Sequence, residues 1–171
     1  MITLQPTRPH WITDAGDDPT DLCAHSPVDF RVGSAVLVSP ESGDWNVSAA
    51  ALFLLRTLSR PHTKTNPVCE QLFPCCGHTM VPTETGDVVV LGCPNGIDVE
   101  VIPKGSDVLL RSSDGSEHRV RKADWQAAVI AFSDKVQRFF EQSGPKEPGD
   151  AFNEAGYECF MDEWARRRRE A

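Results

Sequence analysis

The chain has 171 residues, 40% of them hydrophobic and 25% charged. That length fits one domain of roughly 100–200 residues, and the balance is that of a folded protein rather than a disordered chain. Seventeen Lys and Arg against 25 Asp and Glu give a formal net charge of −8, which argues against a general nucleic-acid binder, because phosphate binding needs cationic surface. The longest apolar run, Ala49 to Leu55, falls well short of the ~20 residues a bilayer span requires. Met1 to Pro6 carries no basic region followed by an apolar stretch, so no secretory signal is expected and the cytoplasm is the expected location.

Residues 1–27 show little periodicity and read as an irregular N-terminal arm that Trp11 and Ile12 pin to the body. Residues 28–171 read as a single α+β domain. Val28, Phe30 and Val32 alternate with Asp29 and Arg31, the period of a half-buried strand. Gly33-Ser34 then predicts a tight hairpin into Ala35–Val38, with glycine supplying the positive φ of a type II′ turn. After a loop at Pro40–Asp44, Ser48 fits a helix N-cap, with Val47 and Leu52 as its hydrophobic staple. The helix through about Leu58 is apolar nearly all round, which predicts a central, buried helix. Arg60-Pro61 ends it.

Residues 61–77 form a long connection. Beyond it, apolar runs at Thr79–Val81, Val88–Leu91, Ile97–Val101, Val108–Leu110 and Glu117–Arg121 predict an antiparallel meander of four or five strands. Two helices close the chain. Trp125, Ala128, Val129, Phe132, Val136, Phe139 and Phe140 have helical spacing over about 124–142, and Gly144-Pro145 stops that helix. Tyr157, Phe160, Met161 and Trp164 mark a second over about 151–168. The expected fold class is α+β: an antiparallel sheet of five to seven strands with three main helices packed mainly on one face.

The densest group of reactive side chains is Cys69, Cys75, Cys76, His78 and Cys93. Zinc takes four thiolate or imidazole ligands. Cys75-x-x-His78 has the spacing of one half-site, Cys93 offers a further ligand, and His62 is a possible fourth. No second close pair accompanies them, so the competing reading is six thiols used mostly as small buried hydrophobes. A cysteine nucleophile would need a base within reach, and Cys76 with His78 is the conceivable pair. Asp98 and Glu100 share one side of a strand, which suits a cation site or the solvated face of an amphipathic strand. His25, His62 and His118 are scattered and read as surface or capping residues. There is no G-x-S-x-G, H-E-x-x-H or G-x-x-x-x-G-K-[ST] motif.

Charge is more informative. From Lys146 to Trp164 there are six acids, Glu147, Asp150, Glu154, Glu158, Asp162 and Glu163, against the single Lys146. The last helix should therefore present an acidic face, which would steer a basic protein partner. Glu154, Glu158, Asp162 and Glu163 are the expected charged contacts. Trp164, Tyr157 and Trp45 are aromatic anchors only if exposed. Arg166 to Arg169 complement the carbonyl end of the helix.

Three stretches, Leu72–Met80, Gly92–Val101 and Glu163-Trp164, together resemble small bacterial immunity-type proteins, the cognate inhibitors of polymorphic toxins, over about residues 28–168. The resemblance implies a cytosolic binding protein that neutralises a basic toxin domain by occlusion, with no catalytic residues and no cofactor. The alternative is a zinc-binding or thiol enzyme built on Cys75, Cys76, His78 and Cys93.

Overall fold

The computed structural model describes residues 1–13, 16–77 and 79–171. Its α+β class is as expected, but the strands do not form one sheet. They form four small antiparallel sheets. The N-terminal segment is also more ordered than its sequence suggests. β1 (Ile2–Pro6) pairs with β3 (Val28–Val32), with Leu4 opposite Phe30. Ile2, Leu4 and Pro6 turn inward while Gln5 faces water, an alternation too short to stand out in the sequence. Trp11 is buried against Phe139 and Phe140 and does pin this segment; Ile12 remains exposed. The hairpin to β4 (Ala35–Val38) turns through Gly33-Ser34, and Gly33 at φ +61° supplies the left-handed position.

The short strands β2 (His25–Ser26) and β5 (Trp45–Asn46) pair next and lead into α1 (Val47–Arg56). The N-cap is Asn46 rather than Ser48. Asn46 Oδ1 accepts from the Ala49 amide at 3.0 Å, while the Ser48 hydroxyl is taken by the Ala24 amide at 2.7 Å. Every residue of α1 is buried, Arg56 included. It is the central helix, touching both later helices as well as β2 and β5.

β6 (Thr79–Pro82) and β7 (Val88–Leu91) form a separate two-stranded ribbon. β8 (Val99–Lys104), β9 (Asp107–Ser112) and β10 (Glu117–Arg121) form a three-stranded meander with order β10-β9-β8. The expected continuous meander breaks at residues 92–98. There the chain leaves β7 and pairs instead with Phe73, through Ile97, so β8 starts in a new sheet. α2 (Lys122–Glu141) buries Trp125, Val129, Phe132 and Val136 against β1 and α1. α3 (Ala151–Glu170) lies on the β6–β7 ribbon and against α1. The helices thus cover different small sheets rather than one shared face. Among the described residues no helix is long and apolar enough to cross a membrane.

Gly156 sets how closely α3 approaches the ribbon. A Cβ there would land well inside van der Waals contact of the Met80 carbonyl oxygen. The 144–150 connection is held by Lys146, whose ammonium lies 3.3 Å from the centre of the Trp11 ring and 2.6 Å from Asp17 Oδ1.

Candidate functional site

Two regions concentrate the side chains singled out in the sequence: α3 with its flanking groove, and the loops at the open end of the β6–β7 ribbon.

On α3, Glu154, Glu158 and Asp162 follow one another at four-residue intervals and are all exposed. Among the described residues none of the three makes an ion pair. Like charges at this spacing cost an isolated helix about 0.2–0.5 kcal/mol per pair, so the stripe is a cost that the free helix carries. Beside it runs an open groove of about 650 Å³ between the end of α2 and α3, lined by the apolar side chains of Phe140, Tyr157, Met161 and Trp164 together with the charged Glu141, Lys146, Arg168 and Arg169. Met161 is exposed and Tyr157 half-buried.

Glu163, expected in the same acidic contact surface, does not belong to it, and Trp164 reaches the groove wall from a buried position. Trp164 is packed edge-on against Phe160 and Phe140. Trp45 is likewise buried. Glu163 is fully buried, because it lies one residue, about 100° of helix rotation, beyond the exposed stripe. Its two oxygens take four hydrogen bonds: from Arg56 Nε at 2.8 Å and Nη2 at 2.6 Å, from the Val88 amide at 2.8 Å and from Arg167 Nε at 2.5 Å. Burial pushes the Glu163 carboxyl up, but the Arg56 hydrogen bonds and charge, the Val88 amide and Arg167 outweigh it and hold the group below the usual range. The arginine run at the end of α3 is partly interior too. Arg166 and Arg167 pair with Asp87, and Arg168 with Asp134.

At the ribbon's open end, the Sγ atoms of Cys75, Cys76 and Cys93 all lie within 4.8 Å of one another. Cys75 and Cys93 are hydrogen-bonded at 3.1 Å, and the Cys93 amide donates to Cys76 Sγ at 3.1 Å. The shared hydrogen bond pushes the Cys75 thiol up. It holds Cys93 below the ordinary thiol value, with help from the Asn95 amide and Cys76. The segment carrying Cys75 and Cys76 is fixed from behind. The Pro74 carbonyl accepts from the Asn46 amide at 2.9 Å, and the Gly77 carbonyl from Cys23 Sγ at 3.3 Å. His78, the expected imidazole of this group, lies outside the described residues. Cys69 is not part of the trio, and burial pushes its thiol up.

His62, the other possible ligand, is engaged elsewhere and buried, as is His25; neither is a surface residue. The His62 Nδ1 atom accepts from the Val68 amide at 3.0 Å, so Nε2 carries the proton and donates to Asp98 Oδ1 at 2.8 Å. Asp98 also accepts from the Leu72 amide at 3.1 Å. Glu100 is buried, accepting from the Lys64 amide at 3.0 Å and Arg111 Nη1 at 2.8 Å. The two carboxylates are thus neither a solvated face nor a shared cation site; each ties the 61–72 connection or a neighbouring strand to β8. That connection's need for side-chain acceptors, with three prolines and no regular pairing of its own, is the signal that could have pointed to these roles.

No family model, curated protein or solved structure compared with the chain matches it.

Proposed function

We propose that the protein is a non-enzymatic binding protein of immunity type, which inhibits a basic toxin domain by covering the surface that the toxin's anionic substrate would occupy. The observation that carries this reading is the unpaired stripe Glu154, Glu158 and Asp162 running beside an apolar groove. A strong protein interface combines a dry apolar centre with a polar rim. Here Phe140, Tyr157 and Met161 are the apolar centre, Glu141, Lys146, Arg168 and Arg169 edge the groove itself, and the carboxylate stripe lies on the adjoining flank of α3. A cationic partner would relieve the repulsion along the stripe, so binding recovers what the free helix gives up.

The test uses the full chain against the products of the genes that neighbour its own. Affinity is measured at low and high salt for wild type and for the combined Glu154→Gln, Glu158→Gln, Asp162→Asn variant. Neutralisation should leave the fold intact, slow association and weaken binding at least tenfold at low salt. Equal affinity for wild type and variant, or binding indifferent to salt, overturns the reading.

A further inference from the structure

We propose that Cys75, Cys76 and Cys93 together form a zinc site that clamps the open end of the β6–β7 ribbon. This inference is independent of the interaction surface on α3.

The geometry begins with the chain path. Cys75 and Cys76 precede β6, and Cys93 follows β7. On one side of them Thr79 pairs with Leu91; on the other Phe73 pairs with Ile97 through amide–carbonyl bonds of 3.0 and 2.9 Å. Both thiol-bearing segments are therefore bracketed by antiparallel pairing and held face to face. Glycine makes the approach possible: a Cβ at Gly92 would sit 2.7 Å from the Cys76 carbonyl oxygen. The Pro74 and Gly77 carbonyls are anchored to Asn46 and Cys23, so the loop is fixed before any ligand arrives. A preformed first shell of this kind is what precise metal ligation needs.

The distances suit zinc. Zn–S bonds of about 2.3 Å in a tetrahedron place sulfurs about 3.8 Å apart. The three Sγ atoms span separations from the 3.1 Å of Cys75 and Cys93 to no more than 4.8 Å, a range that brackets that spacing. The amide of Cys93 already points at Cys76 Sγ, and amide donors to metal-bound thiolates are the outer-shell partners that steady such ligands. Among the described residues, the side chains that the Cys75 and Cys93 thiols engage are one another and Cys76. Three thiols massed together can share one cation as thiolates, and a soft dication is the one they bind best. Each thiol loses its proton on binding, so two electrons from each sulfur form the bond and three protons leave to solvent.

The experiment uses the full chain expressed with zinc and purified under reducing conditions without chelator. Bound metal is measured by elemental analysis. The chelated protein is then titrated with Zn²⁺ while thermal unfolding is followed, and with Co²⁺ while thiolate-to-cobalt charge transfer is followed. About one zinc per chain is expected, with a clear rise in unfolding temperature on Zn²⁺ addition and cobalt–thiolate absorption saturating at equimolar metal. Cys76→Ser and Cys93→Ser should lose the metal, whereas Cys69→Ser should keep it. The two titrations of wild-type protein stand even if a serine variant fails to fold. Absence of stoichiometric metal together with a cobalt spectrum lacking charge transfer overturns the proposal. So does full metal retention in Cys93→Ser, or a Cys75–Cys93 disulfide as the stable form of protein purified under reducing conditions.

Discussion

Replacing Glu163 tests how the core is held together. The carboxylate is the meeting point of α1, α3 and the β6–β7 ribbon, through Arg56, Arg167 and the Val88 amide. Glu163→Ala would strand the buried Arg56 guanidinium with only the Val68 and Val88 carbonyls, at 3.0 and 2.6 Å. Removing one partner of a buried ion pair costs about 3–5 kcal/mol. Arg56 retains those two acceptors and Arg167 retains Asp87, so the lower half of that range is expected. At about 2–4 °C per kcal/mol for a domain of this size, the unfolding midpoint should fall by about 6–16 °C. Glu163→Gln should also destabilise, because its amide would turn a donor toward either Arg56 or Arg167.

Acid provides the control. The folded Glu163 carboxyl is held below its unfolded value of about 4.3, so its stabilising contribution is complete above that pH and disappears as pH falls through the folded value. The gap between wild type and Glu163→Gln should therefore be constant near neutrality and close in acid. Denaturant unfolding followed by circular dichroism across pH measures it. A Glu163→Ala loss under about 1 kcal/mol, or a gap that widens in acid, would refute the reasoning. Arg56→Met with Glu163→Met should be less damaging than the sum of the two single changes, because it removes the stranded charge.

Two further outcomes follow from close contacts elsewhere. Gly156→Ala should cost about 1–3 kcal/mol by forcing α3 away from the Met80 carbonyl, although alanine is the better helix former; a more stable variant in thermal unfolding would show that α3 does not lie this close to the ribbon. His62→Leu should cost about 1–3 kcal/mol by orphaning the Val68 amide and leaving the Asp98 carboxylate with the Leu72 amide alone of its two partners, with hydrogen exchange of Val68 rising from protected toward free; unchanged protection there would sink the assignment.

The elements with a strong local period were legible. α2 declared itself through Trp125, Val129, Phe132 and Val136, and the all-apolar run in α1 declared a helix with no solvent side. The grouping of strands was not. Alternation says that Ile97 and Val99 belong to a strand, but not which strand they meet. Phe73, 24 residues earlier, takes Ile97 and so splits the expected meander. The N-cap was misplaced for a similar reason: Ser48 and Asn46 are both good caps, and only the position of Ala24 decides which one the helix keeps. The cysteine trio was half legible, since Cys76 and Cys93 are brought together by a hairpin whose length no ligand-spacing rule encodes.

The error at Glu163 is the most instructive, because the sequence held the means to avoid it. Gly156, Phe160, Glu163 and Arg167 recur at intervals of four, three and four, the spacing of an inward helical face, and all are buried. A charged residue in phase with that face demands a buried partner, and the apolar α1 offers one cation, Arg56. The same phase explains the arginine run. Arg166, Arg167 and Arg168 turn toward Asp87, Glu163 and Asp134 rather than toward the outer face of α3. Three of the four arginines are thus matched by carboxylates within the chain while Arg169 stays exposed at the groove, and the carboxylates of Glu154, Glu158 and Asp162 keep a negative field that the three matched cations would otherwise have reduced. The interior ion network and the anionic exterior are thus two consequences of one helical register.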